Sequence, residues 1–246
     1  LAEMMNLGGD ERIYPASMTK IMTALLTIEN LPDLNETITV PEDIFEELTA
    51  QDASVAGFNP YEQPTVRDLL YGVLLPSGAD ACETLARAVG GSEEGFVAMM
   101  NQKAEELGLT NTHFENCTGL HNDNHYSTCR DIAVLMSECL KSDTFREIVT
   151  REVYTTEATA SHPEGITLYD TMLHRFTSYE MSTTLENGAV IEGGKTGFTD
   201  EAGQCLVSFA EYGGEEYILV TAEAMTDSGS AVDSIADAST VYGRLQ

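Results

Sequence analysis

"AVIEGGKTGFTDEAGQCLVSFAEYGGEEYILVTAEA", residues 189–224, holds three β-rich runs punctuated by turn residues. The runs cover 189–199, 203–212 and 215–224. Thr199-Asp200-Glu201 reads as one turn and Gly213-Gly214 as a tight hairpin, because adjacent glycines accept the positive φ angles such a turn needs. Together they predict an antiparallel meander of three strands. A further strand near Leu1–Asn6 is expected to join its edge.

Upstream of this meander the chain reads as helical. Met18, Ile21, Met22, Leu25 and Ile28 recur at helical spacing, which predicts a helix over 17–30 with Pro15 at its entrance. Thr65 followed by Asp68 caps a helix over 65–75. Residues 79–89 form another. Ser92 opens a helix over 93–107 that stops at Gly108. Thr128, again with an acid three residues on, caps 129–140, and a last helix is expected over 229–245. With β structure at the ends and helices between, the expected class is α/β. An antiparallel sheet carries helices on both faces, and a mainly helical lobe is inserted.

The chain has 246 residues, of which 42% are hydrophobic, enough for a full core without metals or disulfides. No run of about eighteen apolar residues spans a bilayer. Twelve basic against 41 acidic side chains give a formal charge of −29. That surface disfavours nucleic acid and anionic membranes, since phosphate binding needs basic patches. Of five cysteines, Cys82, Cys139 and Cys205 fall in apolar segments and are expected buried. Cys117 and Cys129 flank a polar loop and could pair in an exported protein.

The chemistry starts at "YPASMTKIMTALL", residues 14–26. Residues three apart on a helix share a face, so Ser17 and Lys20 are neighbours. No other charge appears between Lys20 and Glu29, which predicts a desolvated lysine with a lowered pKa. Such an amine can take the proton of a serine hydroxyl that is otherwise a poor nucleophile. The alternative is a capping serine beside a lysine reaching out to solvent. The chain has only four lysines. Lys103 and Lys141 lie in polar helical segments. Lys195 stands in the glycine-rich first strand of the meander, where Lys195, Thr196 and Thr199 could bind a carboxylate and an extended peptide could lie along the strand. Ser77, in "LLPSGADACETLA", sits in a loop at the head of a helix. S-x-x-K, a serine-led middle element and K-T-G in this order form the set used by penicillin-binding proteins and class A β-lactamases.

On those motifs the sequence resembles the serine-type D-alanyl-D-alanine carboxypeptidases, the low-molecular-mass penicillin-binding proteins. The likeness runs through "DERIYPASMTKIMTALL" (10–26), "VRDLLYGVLLPSGADA" (66–81), "LGLTNTHFENCTGL" (107–120), "HYSTCRDIAVL" (125–135) and "GGKTGFTDEAGQCL" (193–206). It implies a single DD-peptidase domain over 1–246, with the sheet from about 1–16 and 189–246 and the helical part from about 17–188. It implies Ser17 as nucleophile, Lys20 as general base and Ser77 as proton relay to the leaving D-alanine. Lys195, Thr196, Gly197, Phe198 and Thr199 become substrate-binding, with the N–H groups of Ser17 and Phe198 as an oxyanion hole. The implied partners are peptidoglycan stem peptides and, as inhibitors, β-lactams, with no cofactor and no metal. The implied location is extracytoplasmic, secreted or at the outer face of the cytoplasmic membrane. Two departures stand out. Ala79 occupies the place where the family usually has Asn, and an edge strand upstream is expected to be missing.

Three rivals remain open on the sequence. A class A β-lactamase needs a Glu-x-x-x-Asn segment to deacylate, and none is found. A penicillin-sensing domain would acylate and stop. A metal hydrolase could use His121 and His125, four apart, but both lie in a loop-like stretch with no acidic helical partner.

Overall fold

A computed structural model describes residues 1–224 and 232–246. The helical part comprises α1 (Lys20–Asn30), α2 (Ile44–Ala50), α3 (Val66–Leu74), α4 (Ala79–Gly90), α5 (Glu93–Glu106), α6 (Cys129–Cys139) and α7 (Asp143–Val149). A two-stranded antiparallel pair, β1 (Val153–Thr155) and β2 (Thr167–Tyr169), and the short α8 (Leu173–Ser178) lead to the sheet. That sheet is β3 (Val190–Thr199), β4 (Gly203–Tyr212) and β5 (Glu215–Ala224), in spatial order β3-β4-β5 and antiparallel throughout. α9 (Asp233–Tyr242) follows. The start expected for this last helix near Ser230 lies outside the described residues.

The meander is present as the sequence predicts. Gly213 and Gly214 both take positive φ, +64° and +84°, at the β4–β5 turn. Thr199 Oγ1 accepts the Ala202 N–H (3.0 Å) across the β3–β4 turn. Strand alternation divides the sheet between two cores. Cys205, Val207 and Phe209 point into the large core built by the helices, whereas Leu206 and Ala210 pack with Ile235, Ala238 and Tyr242 of α9. Helices therefore cover both faces. Residues 1–6 form no strand, and Leu1, Met4 and Met5 are exposed. The expected edge strand is absent there because the segment alternates no apolar face toward the sheet.

The capping signals hold. Thr65 Oγ1 accepts the Asp68 N–H and Asp68 reaches back to the Thr65 N–H, a reciprocal capping box on α3. Ser92 Oγ accepts the Gly95 N–H and Thr128 Oγ1 the Asp131 N–H, capping α5 and α6 by the side chain alone. Helices α2, α7 and α8, all of seven residues or fewer, escape a periodicity search because two turns carry too few repeats.

The helix expected over 17–30 is two pieces. Residues Ala16–Thr19 form a 3₁₀ turn that runs directly into α1. Ala16 takes φ +46°, a left-handed conformation that reverses the chain into the turn. α1 is buried on every side from Lys20 to Thr27. Besides its apolar stripe it carries Thr23 and Thr27, which with Thr19 of the turn are spaced four apart and fully buried, as the apolar count alone does not reveal. All five cysteines are free thiols, so the pairing considered for Cys117 and Cys129 does not occur. Cys117 instead lies buried with its S–H directed at Glu83 (3.5 Å).

Candidate active site

The 3₁₀ turn has about three residues per turn, so residues i and i+3 eclipse. That geometry sets Lys20 Nζ 2.9 Å from Ser17 Oγ. Ser17 is half-buried while Lys20 is 3% exposed. Lys20 Nζ also donates to Thr118 O (2.6 Å), which fixes the amine from the opposite side. Burial pushes the Lys20 pKa down from the usual lysine range, with only weak opposition from Cys82, Cys117 and Asp80.

The loop carrying Thr118 packs unusually close to the turn. Gly119 takes φ +87°, and a Cβ there would fall 1.9 Å from Ala16 O. On the other flank, a Cβ on Gly197 would meet Ser17 N at 3.0 Å and Pro15 O at 3.1 Å. The glycine in K-T-G thus lets β3 lie against the turn that carries Ser17. Glycines in a strand can serve the approach of a ligand backbone. Gly193 and Gly197 are instead spent on close approach by the protein's own backbone, Val149 O in the first case and Ser17 N in the second.

Ser77 comes from the loop between α3 and α4, with φ +65° and 6% exposure. Lys195 Nζ donates to Ser77 Oγ (3.0 Å) and to Thr196 O (2.9 Å). Ser17 and Lys20 therefore lie on one wall, Ser77 on a second and Lys195 on β3. Burial together with the nearby Lys20 charge brings Lys195 down to about 7, opposed by Asp170. Thr196 Oγ1 bonds Thr171 Oγ1 (2.6 Å), and Phe198 is exposed at 55%. β3 is an edge strand of its sheet among the described residues; away from β4, its start is held by the Ile191 N–H to Thr183 O (2.8 Å). Thr199 is half-buried and its hydroxyl accepts the Ala202 N–H at the turn.

Two acids near the site were not legible beforehand. Asp80 accepts four backbone N–H groups, from Ala56 (2.7 Å) and Ala81 (3.0 Å) on Oδ1 and from Gly57 and Phe58 (3.0 Å each) on Oδ2. It ties the segment 54–58 to the head of α4, where Ala79 N–H also donates to Ser54 O (2.7 Å). The second is Asp170, 1% exposed, whose Oδ1 accepts the N–H groups of Met172 and Leu173. Burial raises its carboxyl to about 7, with Lys195 pulling the other way. "YDTM" resembles any polar turn, and only the fold sets it beside Lys195.

His121 and His125 do not share a site. His121 pairs with Asp123 at the surface, while His125 is buried with both ring nitrogens engaged, Nε2 with Thr19 Oγ1 and Nδ1 with the Glu115 N–H. Although its stretch looks like an exposed loop, His125 is buried: the Thr128-capped helix and the loop before it fold the ring inward against Phe114. Lys103 and Lys141 lie in surface ion pairs with Glu29 and Glu138, as their polar segments suggest.

A family described as "D-alanyl-D-alanine carboxypeptidase" matches residues 4–226. The D-alanyl-D-alanine carboxypeptidase DacF of Bacillus subtilis is 35% identical over 224 residues, 91% of this chain and 54% of that one. A D-alanyl-D-alanine carboxypeptidase of Streptomyces sp. strain K15 is 36% identical over 217 residues, 85% of this chain and 72% of that one. Among solved structures, the Streptomyces K15 DD-transpeptidase superposes with a TM-score of 0.82 at 31% identity, covering 97% of this chain and 90% of that one. The chain spans about half the length of the Bacillus relative.

Proposed function

The chain belongs to the D-alanyl-D-alanine carboxypeptidase family, and on that premise we propose that it is a serine DD-carboxypeptidase that removes the terminal D-alanine from peptidoglycan stem peptides through an acyl-enzyme. The observation that carries this reading is the pair of contacts Lys20 Nζ–Ser17 Oγ at 2.9 Å and Lys195 Nζ–Ser77 Oγ at 3.0 Å.

Neutral Lys20 accepts the Ser17 hydroxyl proton as Oγ attacks the carbonyl between the two terminal D-alanines. The N–H groups of Ser17 and Phe198 receive the oxyanion; preorganised donors of this kind contribute about 3 kcal/mol each to the transition state. The C–N bond breaks, and the departing amine takes a proton from Ser77 Oγ, which Lys195 holds in place; Ser77 takes in its stead the proton that Lys20 received from Ser17, so Lys20 is neutral again. Thr196 and Thr199 meet the terminal carboxylate beside the Lys195 charge. Gly197 contributes backbone and close packing in place of a side chain. Water, deprotonated by Lys20, then releases the shortened peptide and regenerates Ser17. β-Lactams carry a strained amide and a carboxylate in the same relation, so they acylate Ser17 and deacylate slowly.

The substrate lies outside the cytoplasmic membrane, so the proposed place of action is extracytoplasmic. No helix among the described residues is long and apolar enough to cross a membrane. The catalytic unit is proposed to be the whole of 1–246, since residues from 17 to 199 converge on one site. The deciding experiment incubates the protein with a diacyl-Lys-D-Ala-D-Ala peptide and with a fluorescent penicillin. Release of D-alanine and a label at Ser17 support the proposal. A label without D-alanine release makes the protein a penicillin sensor, and rapid loss of the label makes it a β-lactamase.

A further inference from the structure

We propose that His125 is a positioning residue for acylation: locked in one tautomer, it pins the turn that carries Ser17 to the loop that supplies the second hydrogen-bond partner of Lys20. The inference rests on the reading of Ser17 as nucleophile given above.

The tautomer follows from the partners. A backbone N–H can only donate, so His125 Nδ1, 3.0 Å from the Glu115 N–H, carries no proton. Nε2 therefore holds the hydrogen and donates to Thr19 Oγ1 at 2.8 Å. The ring is 2% exposed and meets Phe114 edge-on. Burial pushes its pKa down to about 3, and His113, His121 and Lys20 act in the same direction. The imidazole thus stays neutral throughout the working range and keeps its donor pointed at Thr19.

Thr19 is the last residue of the 3₁₀ turn and the immediate neighbour of Lys20. One turn further along, Thr23 Oγ1 donates to Cys117 O (2.7 Å). Lys20 Nζ donates to Thr118 O between them. Three contacts therefore fasten α1 and its leading turn to the 113–125 loop, and two of them touch no reacting atom. The anchor at His125, at the far end of the loop, adds to the Thr23–Cys117 contact in holding Thr118 O 2.6 Å from Lys20. Misplacing a reacting pair by about 1 Å can lower a rate roughly 10²-fold.

The test compares Thr19→Val, Thr19→Ser, His125→Phe and His125→Gln with the wild type. The readouts are Ser17 acylation by a fluorescent penicillin over a range of drug concentrations and pH, and the melting temperature. Long-range ¹⁵N NMR of labelled histidine reports the tautomer of His125 in the wild type. The expected result is an Nε2–H signal that does not titrate between pH 5 and 8. Thr19→Val and His125→Phe should lower the limiting acylation rate roughly 10- to 10²-fold, with penicillin affinity unchanged. Their acid limb should shift, because Lys20 has lost its fixed geometry. Thr19→Ser and His125→Gln, which each keep a donor–acceptor pair, should recover most of the rate. An Nδ1–H tautomer overturns the proposal. So do variants that lose only thermal stability while the folded fraction acylates at the wild-type rate and pH dependence. Absence of any Ser17 label in the wild type would instead remove the carboxypeptidase reading, and this inference with it.

Discussion

Lys195 Nζ lies 3.0 Å from Ser77 Oγ although 118 positions of chain separate them. With Lys20 only a short step across the cleft, two buried ammonium groups cannot both be charged without repelling each other. Burial lowers both, and the neighbouring Lys20 is the second cause of the Lys195 shift. Asp170 stands on the Lys195 side and raises that lysine, opposing both burial and the Lys20 charge.

The first consequence concerns the nucleophile and its base. Ser17→Ala abolishes the penicillin label. Lys20→Ala lowers the acylation rate by about 10²- to 10⁴-fold, the usual worth of general base catalysis. Lys20→Arg does no better, because a guanidinium remains charged and cannot accept the proton. Stopped-flow acylation kinetics measure each.

Asp170→Asn removes the charge that favours protonated Lys195. Lys195, already brought down to about 7, then loses its proton at lower pH. The activity profile keeps its acid limb, set by Lys20, and its alkaline limb moves toward acid. An alkaline limb unchanged in the variant would show that Lys195 does not titrate there.

Asp80→Asn retains one oxygen where two now serve four N–H groups, three of them in buried contacts and that of Gly57 in a half-buried one. Two donors lose their acceptor, and each unsatisfied group costs about 1–3 kcal/mol. The expected loss in urea unfolding is about 2–6 kcal/mol. Slower acylation accompanies it, because the 54–58 segment that braces the Ser77 loop loosens.

Gly119→Ala tests the closeness of loop and turn. The new methyl would overlap Ala16 O, and φ +87° is itself unfavourable for alanine. The loop must retreat, taking Thr118 O away from Lys20. Acylation falls sharply, whereas Gly188→Ala, at a positive-φ glycine with open space around it, leaves acylation unchanged.

Glu83, beside Glu93 and Cys117, is pushed up to about 8 by burial and by the Glu93 charge. In the unfolded chain it ionises near 4.5. Below that value it is protonated in both states and imposes no penalty. Between the two values the unfolded chain gives up its proton while the folded one keeps it, so stability falls as pH rises and levels off above about 8. Glu83→Gln flattens this slope, which thermal melts from pH 4 to 9 display as the difference between variant and wild type.

Much of the architecture could be read in the chain. The three strands of 189–224 appear through alternation and turn chemistry, and α3, α5 and α6 through their caps. Elements of two turns or fewer, such as α2 and α8, were not visible, because their stability comes from packing rather than from their own pattern. In the site, Ser17, Lys20, Ser77 and Lys195 stood out as residues in motifs. Asp80 and Asp170 did not, and His125 was visible only as a candidate metal ligand, since a buried acid or imidazole looks in sequence like one on the surface.

By itself, the order of residues determined the local facts: a serine one turn ahead of a lysine with no charge near it, and a strand marked by Gly-Gly-Lys-Thr-Gly. These depend on torsion angles and spacing over a few positions. Only the tertiary structure decided that Lys20 is dry, that Thr118 O and His125 hold its turn, and that Asp170 faces Lys195. Desolvation and charge coupling are properties of what surrounds a group in space, and those surroundings come from segments as distant in the chain as Thr118 from Lys20 and Ser77 from Lys195.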